Sequence, residues 1–447
     1  MKILLTVHQF FPQFAAGTEV LTYSVARELI KRGHTVHVLT GHPSNAGLHD
    51  EDRCDEYHYE GIHVYRFHHA YSTMAGQTSK IVLGYDNHLA AEYFGRILTR
   101  FNPDVVHFFH LNRLGTGLID QVVKAGIRCF MTPTDFWSIC PTGQLINSDG
   151  SLCTGPSAYA GNCVKHFAQS THVGVIRIIA ERLPTLSVDL LVLLTRRKFL
   201  PMYPKKEEVM AVTSRLDINI ARLNKLNGLV VPNEFMGSLL IRHGMSPDLI
   251  IRSNYGIDVV STEGRKQRST TDRPLQIGFI GTLAPHKGCH VLIKAFKALP
   301  LGVAILRLYG NRDEHPEYSR ELMRLAEDNN GIEFCGTFHN SNISDVLADI
   351  DVLVVPSIWY ENTPLVVYSA QAAHCPVLAS DLPGISSVIL DEVNGLLFEA
   401  GDTAALTTQL FRFIDEPSLV ARLRSNSRQP KSTASYVDEL LSIWTNA

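Results

Sequence analysis

The chain has 447 residues, 45% of them apolar and 19% charged, with a formal net charge of −3. That length and composition fit two or three globular domains and exclude a disordered chain. The near-neutral balance gives no basis for bulk nucleic-acid binding, and no apolar run approaches the ~18 residues of a membrane-spanning helix.

The first residues turn polar too soon for a signal peptide and read as a strand over 3–7. With eight cysteines and no such leader, the thiols are expected to be reduced, in a cytosol. A loop over 8–17 follows. Thr18 reads as the N-cap of a helix over 19–32, in which Leu21, Val25, Ala26, Leu29 and Ile30 recur at a helical period. Gly33 ends that helix. Further strands are expected over 35–40, 62–67, 104–109 and 127–132. Strands alternating with helices imply a parallel, doubly wound α/β sheet.

Residues 137–225 read as an insertion that carries cysteines and helices. Cys140, Cys153 and Cys163, with His166, lie in or beside its Gly- and Pro-rich part. Thiolate and imidazole ligands suit a structural tetrahedral zinc, but intervals of twelve, nine and two residues lack the usual paired Cys-x-x-Cys. Free buried cysteines are the other reading, and both stay open. Residues 173–200 are apolar and basic, with Arg177, Arg182, Arg196, Arg197 and Lys198, and Lys205 and Lys206 beyond. Such helices suit an anionic membrane surface or a lipid-linked ligand; a core-packed insertion with one solvated face is the alternative.

A polar, charged stretch over 259–275 reads as a linker between a first domain over 1–258 and a second over 276–428. The second domain has expected strands over 276–280, 304–309, 332–335, 351–355, 376–379 and 396–398. A last helical segment occupies 429–447.

Chemistry concentrates where these strands end. The loop after 351–355 carries Glu361, and the backbone from Asn362 through Thr363 and Pro364 to Leu365 opens the next helix. Ligands of open α/β sheets bind at the carboxyl ends of strands, and helix N-termini attract phosphate. A carboxylate for sugar hydroxyls thus stands beside a phosphate cradle, although an ordinary strand–loop–helix corner has the same outline. After the strand over 276–280 come Gly281, Thr282 and then Lys287-Gly288. Glycines let backbone approach a phosphate, and Lys287 supplies a point charge. A plain βα turn with a surface lysine is the alternative. Gly310 ends a third strand.

The stretch PSIWYENTPLVVYSAQA, from Pro356 to Ala372, resembles the signature of family 4 glycosyltransferases, retaining enzymes of the GT-B fold. That signature is Glu, seven residues, Glu. Glu361 stands at the first Glu and Ser369 at the second, which in the family grips the donor ribose. A serine cannot accept two charge-assisted hydrogen bonds. Thr282 stands at the family's Arg, leaving Lys287 as the main cation on the diphosphate. Tyr309-Gly310-Asn311 and Cys335-Gly336-Thr337 resemble the walls of the base site, and Asn394-Gly395-Leu396-Leu397 a family turn. Ser387 replaces a Glu of many relatives. The loop to Gly17 resembles the family's Gly-Gly loop, and Thr134-Asp135-Phe136-Trp137 resembles a segment whose His contacts the donor sugar; Thr134 replaces that His and Asp135 matches.

The resemblance implies two Rossmann-like doubly wound domains facing a cleft, with the last helix returning to the first domain. It implies transfer from a nucleoside-diphosphate sugar to a hydroxyl acceptor on a glycan, lipid carrier or small molecule, with retention and without a metal cofactor. Lys287 and the backbone at Asn362–Leu365 would stabilise the leaving diphosphate. Glu361 would hold sugar hydroxyls, and Asp135 and Gly17 would line the cleft. The changes at Thr134, Ser369 and Ser387 leave a second reading: a catalytically weak or inactive nucleotide-sugar-binding homologue with a regulatory or scaffolding role. The expected location is the cytoplasm, including the inner membrane face. His107 and His110 suit packing or sugar contact better than metal, because a strand points them to opposite faces. Asp349-Ile350-Asp351 reads as structural.

Overall fold

The computed structural model describes residues 1–44, 47–172, 174–200, 202–203, 205–258 and 273–446. Most of the expected linker, 259–272, lies outside the described residues. The chain forms two compact units, one of Met1–Asn254 with Thr433–Ala447 and one of Tyr255–Ser432.

The first unit is built on eight strands: β1 (Lys2–Val7), β2 (Thr35–Pro43), β3 (Cys54–Tyr59), β4 (Ile62–His69), β5 (Val105–Phe108), β6 (Arg128–Met131), β7 (Gly228–Val231) and β8 (Ile250–Arg252). Their order is β3-β4-β2-β1-β5-β6-β7-β8. Ile3, Leu4, Leu5, Val105, Val106 and Phe130 are fully buried, as parallel strands covered on both faces require. The sheet is not wholly parallel, because β3 runs antiparallel to β4. Its CDEYHY sequence is partly exposed along its length, as an edge strand tolerates, and has no apolar alternation to announce it. The short β7 and β8 also lack a separate periodic signal.

The helix after β1 spans Gly17–Lys31 and its N-cap is Ala16, so Thr18 is not the cap. Thr18 lies in the first turn and its hydroxyl donates to Thr134 Oγ1 at 2.9 Å. Gly33 has φ +83°, the left-handed conformation that follows many helix ends.

The last helix, Thr433–Asn446, belongs to the first unit. Trp444 Nε1 donates to His107 Nδ1 at 3.1 Å, and His107 Nε2 lies 2.9 Å from Thr132 Oγ1. An indole N–H only donates, so Nδ1 accepts and the ring proton sits on Nε2, facing Thr132. Burial lowers the His107 pKa to about 3. The neutral ring is a packing peg for this helix.

The insertion contributes helices Gly161–Thr171, Val175–Arg182, Thr185–Arg196 and Lys206–Leu223. Buried Arg215 donates to the Trp137 carbonyl and stacks 4.9 Å over the Trp137 ring. Asn219 donates to the Ser138 carbonyl at 3.0 Å. The longest of these helices therefore holds the loop that follows Asp135.

The second unit has β9 (Leu275–Ile280), β10 (Ala304–Tyr309), β11 (Ile332–Gly336), β12 (Val352–Val355), β13 (Val377–Ser380) and β14 (Gly395–Phe398), all parallel, in the order β11-β10-β9-β12-β13-β14. Asp351 takes both nitrogens of Arg273 at 2.8 and 2.7 Å and the Gln276 N–H at 2.8 Å, which makes it an anchor for the start of β9.

Candidate active site

In each sheet the chain changes direction beside its first strand. It winds from β9 to β10 and β11, then returns to the other side of β9 with β12. Loops leaving the two strands at such a crossover diverge and leave a crevice at their carboxyl ends. Lys287 follows β9 and Glu361 follows β12. Lys287 Nζ lies 2.7 Å from Glu361 Oε1. The same oxygen accepts from Ser357 Oγ at 2.6 Å and Trp359 Nε1 at 2.9 Å. Lys287 Nζ also sits 4.8 Å from the Trp359 ring centroid. Burial alone would raise the Glu361 pKa, but the Lys287 charge and these three donors outweigh it and hold the carboxyl below its ordinary value. Glu361 is therefore an ionised, buried group that only accepts hydrogen bonds.

Two glycines make the approach of these loops possible. A Cβ on Gly288, which has φ +71°, would fall 1.8 Å from the Pro356 carbonyl oxygen. One on Gly384 would fall 1.7 Å from the Glu361 carbonyl oxygen. Their role is chain-on-chain packing around Glu361. Gly310 packs likewise on the Gly281 carbonyl, where a Cβ would stand at 2.4 Å, and the Gly281 N–H donates to the Tyr309 carbonyl at 3.0 Å. Thr282 is partly exposed beside them.

Pro364 caps the helix Leu365–Ala372. Asn362 and Thr363 are buried, and Asn362 Nδ2 donates to Tyr255 Oη at 2.9 Å. Ser369 lies inside that helix, buried, with its hydroxyl donating to the Leu365 carbonyl at 3.1 Å. The position of the signature's second Glu thus closes a bond within its own helix.

The crossover of the first sheet lies between β1 and β5. Here sequence reasoning missed most of the groups. Glu19 is fully buried in the first helical turn, 3.5 Å from His8 Nε2. Burial raises its pKa to about 7, only partly offset by polar neighbours such as Gln9 and His110. Burial, followed by the charges of His110 and Arg113, holds His8 well below its ordinary value. The His8 and His110 rings are 4.3 Å apart. His110 Nδ1 accepts the Asn112 N–H at 3.0 Å, which leaves Nε2 to carry a ring proton, and Nε2 lies 3.0 Å from Asp135 Oδ2. Arg113, at φ +68°, donates to the His8 carbonyl and to Gln9 Oε1, each at 2.9 Å. Asp135 also accepts the Trp137 N–H at 2.7 Å, and a Cβ on Gly143 would stand 2.9 Å from its Oδ2. Gly17 is exposed at the head of its helix. Shifted titrating groups beside a strained residue make this corner a candidate functional site. The available signal was a Glu and a His flanking the first strand-to-helix loop.

Cys140, Cys153, Cys163 and His166 do line one cavity, of about 40 Å³. Burial, the leading cause, keeps Cys153 and Cys163 as thiols, and among the described residues no three His, Cys, Asp or Glu groups are set to hold one metal ion. The four groups line a small interior space.

A model described as Glycosyl transferase 4-like domain matches residues 16–173, and one described as Glycosyl transferases group 1 matches 260–430. The chain belongs to the family 4 glycosyltransferases. D-inositol 3-phosphate glycosyltransferases from Xylanimonas cellulosilytica and Mycolicibacterium smegmatis are 32% and 28% identical to this family 4 chain over 35% and 40% of it. The matches span only 38% and 41% of those relatives' own lengths. In fold, the chain is similar to Anabaena HepE, solved in complex with UDP and glucose, with a TM-score of 0.66 at 16% identity and 100% of both chains covered. It is also similar to sucrose-phosphate synthase from Thermosynechococcus elongatus, with a TM-score of 0.63 at 15% identity over 99% of this chain and 96% of that one. The fold of the family 4 chain is GT-B, with two Rossmann-like α/β domains.

Proposed function

We propose that the chain transfers a sugar from a nucleoside-diphosphate sugar to a hydroxyl acceptor, with retention of configuration and no metal cofactor. The observation that carries this reading is the pairing of part-buried Lys287 with buried Glu361 at the crossover of the second sheet. Ionised Glu361 accepts from sugar hydroxyls. Lys287, about a quarter exposed, turns its charge to the diphosphate as the donor arrives. The N-terminus of the Leu365–Ala372 helix adds positive potential. Charge grows on the leaving diphosphate as the anomeric C–O bond breaks, so fixed positive groups there lower the barrier most. The acceptor oxygen bonds to the anomeric carbon from the leaving-group face, and its proton passes to the departing phosphate oxygen. Asp135 and Gly17 serve the acceptor half of the reaction.

The test is a thermal-shift panel with UDP, GDP, ADP, dTDP and CMP, followed by a released-nucleotide assay with the matching sugar donors. A nucleotide at a hundred times its dissociation constant stabilises by about 2.7 kcal/mol. Absence of any shift at millimolar nucleotide would remove this reading. A non-catalytic nucleotide-sugar binder is the second reading, favoured by the Ser369 hydroxyl being spent on Leu365. A shift without turnover of any donor would select it.

A further inference from the structure

The exposed large apolar side chains are concentrated in one part of the insertion. Leu186 is 81% exposed, Phe199 71% and Met202 76%, with Ile179 and Leu190 half exposed beside them in the chain. On the helix Thr185–Arg196, Leu186 and Leu190 share one face, four residues apart, while Val188 and Val192 are buried. This helix is apolar on the side that packs and on the side that does not. A water-facing helix normally carries its polar residues there.

The charges follow the same surface. Residues 174–206 hold seven Lys or Arg and two Asp or Glu, against −3 for the whole chain. Both acids are engaged. Asp189 is buried and accepts from Ser157 Oγ and from the N–H groups of Tyr159 and Gly161. Glu181 pairs with Arg177 at 2.9 Å. Arg182, Arg197 and Lys198 are exposed and make no ion pair among the described residues.

We propose that the helices Val175–Arg182 and Thr185–Arg196, with Phe199 and Met202 after them, form a surface that docks on an anionic lipid bilayer. Apolar chains enter the acyl boundary, and Arg182, Arg197 and Lys198 meet headgroup phosphates. No helix among the described residues is long and apolar enough to cross a membrane, so this element lies on the bilayer rather than spanning it. A second copy fits less well, because a two-fold interface would set this positive segment against itself. The inference is independent of the proposed reaction.

The test is co-sedimentation of the full chain with vesicles of phosphatidylcholine alone or mixed with phosphatidylglycerol. Binding is expected on the mixed vesicles, weak on the neutral ones, and reduced at ~1 M salt, where the screening length is about 3 Å. Leu186→Asp with Leu190→Asp should weaken binding at least about tenfold without lowering the melting temperature, since both side chains are exposed. Arg182→Gln with Arg197→Gln and Lys198→Gln should abolish the preference for anionic vesicles. Failure of the unaltered chain to sediment, or unchanged binding by the leucine variant, would overturn the proposal. So would a solution dimer that the leucine variant splits, which would make the surface an interface between copies.

Discussion

Lys287 Nζ and Glu361 Oε1 meet at 2.7 Å from the loops of two adjacent strands, 74 residues apart in sequence. Each group makes the other tolerable: the carboxylate is buried, and the ammonium is its nearest opposite charge. Lys287→Met should destabilise the second unit by about 2–4 kcal/mol, because it strands a buried charge. Glu361→Gln keeps an accepting oxygen and should cost about 1–2 kcal/mol. Glu361→Ala is a poorer probe, since it leaves Ser357 and Trp359 without their acceptor. Urea unfolding and kcat/KM measured together separate the effects. Glu361→Gln should lower kcat/KM by about 100-fold or more; full turnover would mean that the reaction does not use this pair.

Gly384 and Gly302 distinguish steric from conformational need. A Cβ on Gly384 meets the Glu361 and Asn362 carbonyl oxygens at 1.7 and 2.7 Å, and backbone cannot yield as a side-chain tip can. Gly302 has φ +81° with nothing within 4 Å of a Cβ. Gly302→Ala should cost about 1 kcal/mol, for the left-handed backbone alone. Gly384→Ala should cost about 3 kcal/mol and also weaken nucleotide binding, because the Glu361 loop must move. Calorimetric melting with nucleotide titration checks both; equal costs would remove the steric argument.

Glu19 gives the first unit a pH dependence of known sign. Its carboxyl titrates at about 7 in the fold, against an ordinary value of 4.5. Below 4.5 folded and unfolded chains both hold the proton, and burial costs nothing through this group. Between 4.5 and about 7 the unfolded chain ionises first, so stability falls as pH rises, and the loss is complete above 7. Glu19→Gln should therefore stabilise by up to about 3 kcal/mol at alkaline pH and by nothing at acid pH. Denaturant melts at the two extremes test this; an equal effect at both would show that Glu19 does not titrate in this way.

Ser369 spends its hydroxyl on the Leu365 carbonyl. Ser369→Ala should change stability by less than about 0.5 kcal/mol and leave nucleotide affinity within about twofold. Ser369→Glu should strengthen binding of a ribose-bearing diphosphate by about tenfold, through charge-assisted bonds to the ribose. Calorimetric titration decides, and unchanged affinity in the Glu variant would show that the ribose is held elsewhere.

The parts of this molecule legible in its sequence are those where local pattern and tertiary environment agree. Strand β10 lies at 304–309 as the sequence indicates, and the other strands expected from the sequence fall within a few residues of their apolar runs, since burial on both faces demands such runs. Strand β3 escaped because a polar edge strand is specified by its partner β4, not by its own residues. Thr18 has the composition of a cap but is claimed by Thr134, far away in sequence. At the candidate site, Lys287 and Glu361 were readable because their loops resemble a family signature. Glu19 was not: an acid in a first helical turn ordinarily faces solvent, and only the His8 and His110 side chains beyond it reveal that it is buried. Gly384 was visible as a glycine, but its contact with the Glu361 carbonyl is a property of the assembled sheet.

The second unit is one uninterrupted stretch, whereas the first is split and regains its closing helix only at Thr433. During synthesis, Tyr255–Ser432 must all leave the ribosome before Trp444 can reach His107. At about 5–20 residues per second, that interval is on the order of ten to forty seconds. Throughout it the nascent first unit lacks the indole that His107 faces. The half made first is thus the half finished last, and a chaperone that binds the nascent chain would meet its longest-lived unfinished surface around His107 and Thr132.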